Sequence, residues 1–213
     1  SYMDNNLPTN DLSSYYNLTP NYPVYNADGT LNFELDNPYA ELKKSYSSKT
    51  TNFISNVNLA YKILPVLTVK ANLGYSVTSL SQTNKNPASS QNIAPTAPPS
   101  VRAAANRLTI ADNDNDNYII EPQVNYHNSF GKHQVDVLAG ATWQQNKAEG
   151  VTLSGRAFNS EEQLNSISNA ATTAVQYNNY SIYKYNAFFG RINYDFDDKY
   201  VVDATFRRDG SSR

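Results

Sequence analysis

Four charged side chains near the end of the sequence are the strongest candidates for a functional surface. Arg191, Asp203, Arg207 and Asp209 share the polar register of residues 185–213, where apolar and polar residues alternate. A period of two is the pattern of a β-strand, so the four side chains are predicted to lie on one face of a hairpin. Guanidinium groups and carboxylates on one face suit ion pairing and hydrogen bonding.

Three alternating carboxylates invite a calcium site. Asp112, Asp114 and Asp116 lie in the run ADNDNDN, and carboxylate oxygens are the ligands that Ca²⁺ prefers. An EF-hand loop that starts at Asp112 needs Gly at position 117 and Glu at position 123, but the chain has Asn117 and Gln123. The run is therefore interpreted as a solvated loop tip, and no metal or other cofactor is predicted.

The sequence carries no recognisable catalytic constellation. Its 2 histidines, His127 and His133, have no nucleophile or acid placed with them by a known motif, and there are 0 cysteines. The segment GVTLSG at 150–155 lacks the Lys-Ser/Thr ending of a phosphate-binding loop. The net charge of −2 gives no basis for binding nucleic acid. The chain is not predicted to be an enzyme.

Six amphipathic arms in three hairpins position these residues. The alternating stretches cover about residues 51–80, 117–146 and 183–213, and their turns lie near Pro65, Gly131 and Asp198. Residues 1–50 show no period and are predicted to be a loop region that leads into the first hairpin. Long polar loops are predicted at 81–116 and 147–182, where Asn, Ser and Pro are frequent.

Alternation alone fits two kinds of all-β protein. In a soluble sandwich the apolar register faces a core, and in a membrane barrel it faces lipid. No apolar run approaches the ~18 residues of a transmembrane helix, but barrel strands need only about 9–11 alternating residues. Short turns on one side with long loops on the other favour an antiparallel transmembrane β-barrel whose loops are extracellular. A soluble β-rich surface adhesin or binding module is the alternative.

The last hairpin also resembles a known family. The segment FGRINYDFDDKYVVDATFRRDGSSR is similar to a signature of the SusC/RagA family of TonB-dependent outer-membrane transporters of Bacteroidota. The matching residues are Phe189 to Tyr194, Lys199-Tyr200 and Arg207 to Arg213. The segments NYPVYNADGT and NPYAEL near the N-terminus resemble the family as well. Because the pattern stops at Arg213, where the family continues, we expect an internal barrel fragment of about six strands.

The resemblance implies a function in the bacterial outer membrane. It implies import of a large nutrient, an oligosaccharide or oligopeptide, with a SusD-like surface lipoprotein as partner and TonB as the energy source. It also implies a plug domain inside the barrel, which lies outside this fragment. The four charged residues are expected to contact that plug, and ion pairing between neighbouring strands is the open alternative.

Tyrosines in the predicted loops are candidates for contacts with substrate or partner. Aromatic rings can stack on sugars or cover a protein surface, and packing among the loops themselves is the alternative. The residues in question are Tyr15, Tyr16, Tyr22, Tyr25, Tyr177 and Tyr180.

Overall fold

The computed structural model describes residues 2–3, 12–94 and 96–212. Parts of the predicted loops at 1–50 and 81–116, and the last signature residue Arg213, lie outside the described residues. The strands are β1 Tyr2–Met3, β2 Ser45–Leu64, β3 Leu67–Asn86, β4 Arg107–Phe130, β5 His133–Arg156, β6 Thr172–Phe196 and β7 Tyr200–Ser211. The α-helices are α1 Pro38–Lys43 and α2 Pro99–Ala105, and short 3₁₀ turns cover Leu12–Tyr15, Ala88–Ser90, Glu161–Asn165 and Ile167–Asn169. No helix in the described ranges is long and apolar enough to cross a membrane.

The described strands form one sheet in which each strand pairs with its neighbour in sequence, from β1 to β7. β6 and β7 pair antiparallel, with Phe196 opposite Tyr200 and Ile192 opposite Ala204. Short β1 pairs antiparallel with β2, where Tyr2 is opposite Lys49. Consecutive antiparallel pairing is what short hairpin connections require.

Three tight turns occur where the sequence predicts them. They occupy residues 65–66, 131–132 and 197–199, between the ends of paired strands. Gly131 has a φ of 63°, a left-handed conformation that glycine adopts without a Cβ clash. Asp197 and Asp198 have φ values of 57° and 54°, which aspartate tolerates better than most residues. Proline at position 65 lies outside the strands, where its missing N–H costs no ladder bond.

The strands extend well beyond the predicted hairpin boundaries. β2 to β6 contain 20 to 25 residues each, so the predicted loops 81–116 and 147–182 shrink to residues 87–106 and 157–171. Most of the added strand residues are polar, and the apolar exceptions such as Leu108 and Ile110 are too few to predict a strand by alternation. Their backbone groups still pair, and side-chain amides bridge the strands, as where Asn146 Nδ2 donates to Asn115 Oδ1 at 2.8 Å.

The chain divides into two compact units, and the first contains residues 1–51, 79–113 and 150–179. Its apolar cluster consists of Leu108, Phe158 and Leu164, with Ile110, Ile167 and Ala170 packed against it. Asn37 caps α1 by accepting a hydrogen bond from the Tyr39 backbone N–H at 3.0 Å. The Asn37 amide also donates to the carbonyl of Val24 at 2.8 Å, so much of the segment 20–44 is ordered by its own polar contacts.

The second unit contains residues 52–78, 114–149 and 180–213, which include the three tight turns. Its apolar side chains are largely exposed: Leu59 is 56%, Ile192 53% and Phe206 65% accessible. We call the register that carries these side chains the apolar face, and the opposite register the polar face. An exposed apolar face this extensive is built to meet an apolar environment outside the chain.

Candidate functional site

The pairing of β6 with β7 brings the four predicted charged residues onto one face. Asn193 is opposite Asp203, Phe189 is opposite Arg207, and Ala187 is opposite Asp209. Residues two apart on a strand share a face, so Arg191 lies between the first two of these pairs, on the same side. The cluster belongs to the polar face of the second unit.

The first ion pair joins Arg191 to Asp203 diagonally across the two strands. Arg191 donates from Nε at 2.8 Å and from Nη2 at 2.6 Å to Oδ2 of Asp203. The amide of Asn193 adds a longer bond to the same oxygen, at 3.3 Å. Both charged side chains remain substantially exposed, 57% for the arginine and 38% for the aspartate, so solvent screens their attraction and the pair contributes little to the stability of this hairpin.

The second cluster joins Arg207, Asp209 and Tyr185. Arg207 Nε donates to Asp209 Oδ1 at 2.9 Å, and its Nη2 donates to the Tyr185 hydroxyl at 2.7 Å. That hydroxyl in turn donates to Asp209. The Arg207 guanidinium also lies 6.0 Å from the centre of the Phe189 ring, within cation–π range.

Sequence reasoning missed Tyr185 and Phe189 as members of this site. Their positions held the necessary signal, because both have the same parity as Arg191 and must therefore share its face. The alternation already placed Phe189 in the polar register, but only charged side chains of that register were proposed as site residues. The four charged residues form ion pairs with one another within the hairpin of β6 and β7. Their contact with a plug stays a prediction.

A concave region of the polar face lies at the hairpin-turn end of the same unit. Its volume is about 740 Å³, which is within the range of ligand pockets. Its charged and polar lining includes Lys62, Lys70, His127, Asp136 and Arg191. His127 Nδ1 and Asp136 Oδ1 are 2.5 Å apart and link β4 to β5.

The other histidine belongs to an aromatic cluster. The His133 ring stacks between Phe130, at 5.4 Å, and Tyr194, at 5.9 Å, and its Nδ1 lies 2.6 Å from the Tyr194 hydroxyl. The side-chain hydrogen-bond partners of the two rings are the Asp136 carboxylate and the Tyr194 hydroxyl. The structure therefore places His127 in hydrogen-bond contact with Asp136 and His133 in aromatic packing.

The interpretation of Asp112, Asp114 and Asp116 as a loop tip is wrong. All three lie within β4, because the backbone there continues to pair even though the side chains are polar. Alternate residues of a strand are ~6.6 Å apart and point in the same direction, so their carboxylates do not converge on one ion. No group of three possible metal ligands occurs among the residues that the structure describes.

Four of the candidate tyrosines lie in the N-terminal segment. The Tyr22 hydroxyl donates to the Asn32 carbonyl at 3.1 Å and accepts from the Leu35 N–H at 3.0 Å, so it ties the segment together. Tyr25 packs edge-on against Tyr39, with ring centres 6.0 Å apart. Tyr15 is half-buried, and burial together with nearby Glu41 and Asp36 raises the pKa of its hydroxyl. Tyr16 is 82% exposed and is the one of the four most open to a partner.

Tyr177 and Tyr180 do not lie in a loop, contrary to the prediction. Both belong to β6, whose pairing extends through residues 172–182 despite their polar composition. Both rings are exposed, and Lys147 Nζ lies 5.6 Å from the centre of the Tyr180 ring.

The loops of the first unit form a cleft of about 660 Å³. Its walls come from residues 26–43, 88–93, 102–106 and 159–161. Ser89 fixes two of these walls by donating from its backbone N–H to Glu161 Oε1 at 2.7 Å and from its hydroxyl to Oε2 at 3.0 Å. The Asn106 amide donates to the Phe158 carbonyl at 3.0 Å and reinforces the link. Exposed polar side chains remain in the lining, among them Glu34, Lys43, Asn92 and Asn159.

Hydrogen bonds favour the ionised forms of two carboxyl groups near this cleft, those of Asp28 and Glu162. Hydrogen bonds from the Thr30 hydroxyl and backbone lower the pKa of Asp28. A hydrogen bond from Ser160 lowers the pKa of Glu162 in the same way. A cleft with fixed loops, amides and charges of both signs can bind a polar ligand.

By sequence, this chain is similar to TonB-dependent receptors. No family profile matches the chain. Two TonB-dependent receptors of Formosa agariphila are each 29% identical to it, over 94% and 96% of this chain, and a third is 25% identical over 100% of it. The matched part is 20 to 22% of each receptor, so the chain spans about a fifth of the length of these relatives.

Solved structures share the fold. The structure of the RagAB peptide transporter matches with a TM-score of 0.68 at 22% identity, over 83% of this chain and 19% of that chain. The RagAB peptide importer in its open-open state matches with a TM-score of 0.62 at 19% identity, over 89% of this chain and 21% of that chain. The predicted fold class, strands of a large antiparallel transmembrane barrel, is confirmed, and so is the resemblance to these transporters.

Proposed function

We propose that this chain, a homologue of TonB-dependent receptors with the fold of part of a RagAB transporter chain, forms part of the wall of a SusC-like importer in the bacterial outer membrane. The observation that carries the proposal is the two-faced sheet of the second unit. Its apolar face exposes side chains such as Leu59, Ile192 and Phe206, while its polar face carries paired charges. Lipid on one side and a wet, protein-filled lumen on the other match this division.

The transported substrate is a large nutrient, an oligopeptide or oligosaccharide. A RagAB structure is described as a peptide transporter, which supports the first of these. The loop cleft of the first unit supports a polar ligand in general, since Glu34, Lys43, Asn92 and Asn159 offer acceptors and donors that no tight internal network consumes. A SusD-like lipoprotein covers the loops, and TonB drives transport through a plug inside the barrel.

The orientation follows from the lengths of the connections. Turns 65–66, 131–132 and 197–199 are short, and connections 87–106 and 157–171 are longer. Bacterial outer-membrane barrels keep their short turns on the periplasmic side and their longer loops outside. We therefore assign the loop cleft to the cell surface.

The polar face of the last hairpin meets the plug. The Arg191–Asp203 pair and the Arg207–Asp209 pair balance their charges within the sheet, yet each of these four side chains is at least 38% exposed and so can reach a further partner. Each guanidinium retains N–H groups that can donate to a plug surface.

The test uses the full-length transporter in its own host. A strain that lacks the gene should lose uptake of a fluorescently labelled tryptic peptide mixture or of a labelled oligosaccharide mixture, and the intact gene should restore it. Deletion of tonB should cause the same loss. Full uptake without the gene, or recovery of the protein in the soluble fraction, would refute the proposed function. Mass spectrometry of the purified transporter should identify which of the two ligand classes is retained.

A further inference from the structure

Two cations interrupt the apolar face of the last hairpin. Arg208 is paired with Phe188, and both lie on the register that also carries Val202 and Phe206. Lys184 precedes Phe188 by an even number of positions, which places it on the same face. Closer to the 197–199 turn, the apolar register of β6 and β7 carries no charged residue. These two side chains are therefore the first charges that a lipid-facing surface would present.

Both cations lack a carboxylate partner in the part of the chain that the structure describes. Neither the Lys184 amine nor the Arg208 guanidinium forms an ion pair within residues 2–3, 12–94 and 96–212, and both side chains are exposed. Neighbouring cations differ: Arg207 pairs with Asp209 at 2.9 Å, and Lys147 pairs with Glu149 at 2.8 Å. A cation without a partner on an apolar face is costly unless an anion outside the chain neutralises it.

The two cations lie at the depth where lipid headgroups begin. At about 3.3 Å per residue and a strand tilt of about 40°, Arg208 is roughly 20 Å and Lys184 roughly 30 Å above the 197–199 turn. These heights bracket the upper edge of an apolar band about 25 Å tall. Trp143 and Phe188 form an edge-to-face pair with centres 6.1 Å apart on this face, as expected of an interfacial aromatic girdle.

We propose that Lys184 and Arg208 bind the phosphate of a phosphate-bearing lipid of the surrounding membrane leaflet. A guanidinium recognises phosphate with two parallel hydrogen bonds, and an ammonium adds a point charge. The acyl chains of the same lipid lie along Phe188, Val202 and Phe206, which continue the apolar face toward the turn. The inference rests on the proposed function, because this face meets lipid only if the chain is part of a barrel.

The experiment measures lipid retained by the full-length protein. Protein from outer membranes is purified in mild detergent, and bound phosphate-bearing lipid is quantified by mass spectrometry and phosphate analysis. The double variant Lys184→Gln/Arg208→Gln should retain about tenfold less lipid than wild type, because charge-assisted bonds to phosphate are lost. The matched control Lys62→Gln/Lys70→Gln removes the same charge from the polar face near the turns and should retain lipid as wild type does.

The outcomes separate the lipid site from the proposed function. Equal lipid retention by wild type and the Lys184/Arg208 variant, with both showing heat-modifiable mobility of a folded barrel, would overturn the lipid site and leave the transporter proposal standing. Equal loss in the control would also overturn it, because the lipid would then be held by net charge alone. A wild-type protein absent from the membrane fraction would overturn both.

Discussion

The ring of Phe189 occupies the space that a side chain at Gly140 would need. A Cβ at position 140 would lie 2.5 Å from Phe189 Cζ and 2.7 Å from its Cε2, with the Pro122 carbonyl oxygen at 3.1 Å. Glycine on β5 thus provides a socket for the aromatic ring of β6. The ring in turn lies beneath the Arg207 guanidinium of β7, so three strands are linked on the polar face.

Gly140→Ala should destabilise the barrel by ~1–3 kcal/mol, because the added methyl group overlaps a ring that a backbone carbonyl also confines. The thermal transition of the full-length protein in detergent, followed by heat-modifiable electrophoretic mobility, measures the effect. Gly190→Ala is the matched control, since its Cβ would meet only the Leu138 carbonyl oxygen at 3.5 Å. Phe189→Leu should partly rescue Gly140→Ala. Equal transitions for the two alanine variants would contradict the socket.

Chemical labelling of single introduced cysteines tests which strand residues face lipid and which face water, since the chain has 0 cysteines of its own. Cysteines on the apolar face should react with a lipid-phase probe, and those on the polar face with a water-soluble one. The first set is Val57, Leu59, Val69, Leu73, Val135, Val137 and Ile192, and the second is Asn56, Lys70, Gln134 and Arg191. Water-phase labelling of the first set with protection of the second would reverse the assignment.

The sidedness of the connections is testable on intact cells. An epitope inserted after the exposed Asn92 should bind antibody from outside, whereas one inserted at Asp198 should bind only after the outer membrane is permeabilised. Asn92 avoids the Ser89–Glu161 bonds, so this insertion leaves the link between the loops intact. Antibody access to Asp198 alone would mean that the chain runs through the membrane in the opposite sense.

Arg207→Ala should leave barrel insertion intact but loosen the plug. Arg207 and Asp209 are 56% and 49% exposed, so solvent screens their mutual bond and its loss leaves the strand pairing intact. The expected signs are entry of a bulky antibiotic that wild-type cells exclude and weaker TonB-dependent uptake. Arg207→Lys keeps the charge and is the matched control. Unchanged permeability and uptake in both Arg207→Ala and Arg207→Ala/Asp209→Ala would leave these residues as ordinary polar wall.

Asp197 gives the last turn a pH dependence. Hydrogen bonds from Lys199, at 2.8 Å, and from Lys132 lower the pKa of this carboxyl below its usual value of about 3.9. A carboxyl with a lowered pKa in the folded state stabilises the fold above its unfolded pKa, and the contribution disappears as pH falls through the folded pKa. Asp197→Asn, which tolerates the φ of 57°, should therefore lower the thermal transition at pH 7.

The difference between wild type and Asp197→Asn should shrink as the pH is lowered from about 5 toward 2. Asp198→Asn is the matched control in the same turn, because no lysine amine binds that carboxylate among the described residues. A difference that does not change with pH would exclude the lysine contacts as its cause.

The sequence by itself determined the all-β class, the three tight turns and the shared face of Arg191, Asp203, Arg207 and Asp209. Each of these follows from a local rule: a period of two sets the face, and turn residues such as Gly131 and Asp197 set the reversals. Residues 189–213 also resemble a signature of the transporters to which the whole chain is similar.

Only the tertiary structure decided where the strands end and which side chains meet. Residues 107–117 and 172–182 show no sustained alternation of apolar and polar residues, yet they lie in β-strands. The hydrogen bonds between strands need only backbone N–H and C=O groups and a neighbouring strand, whatever the side chains are. The contacts between Gly140 and Phe189, and between Tyr185 and Arg207, depend on the register between strands that are distant in sequence. The register between β5 and β6 is not set by a tight turn, because connection 157–171 joins them, and the register of β6 against β7 depends on the exact type of the 197–199 turn. The sequence therefore assigned the candidate residues to a face but did not predict which side chains meet.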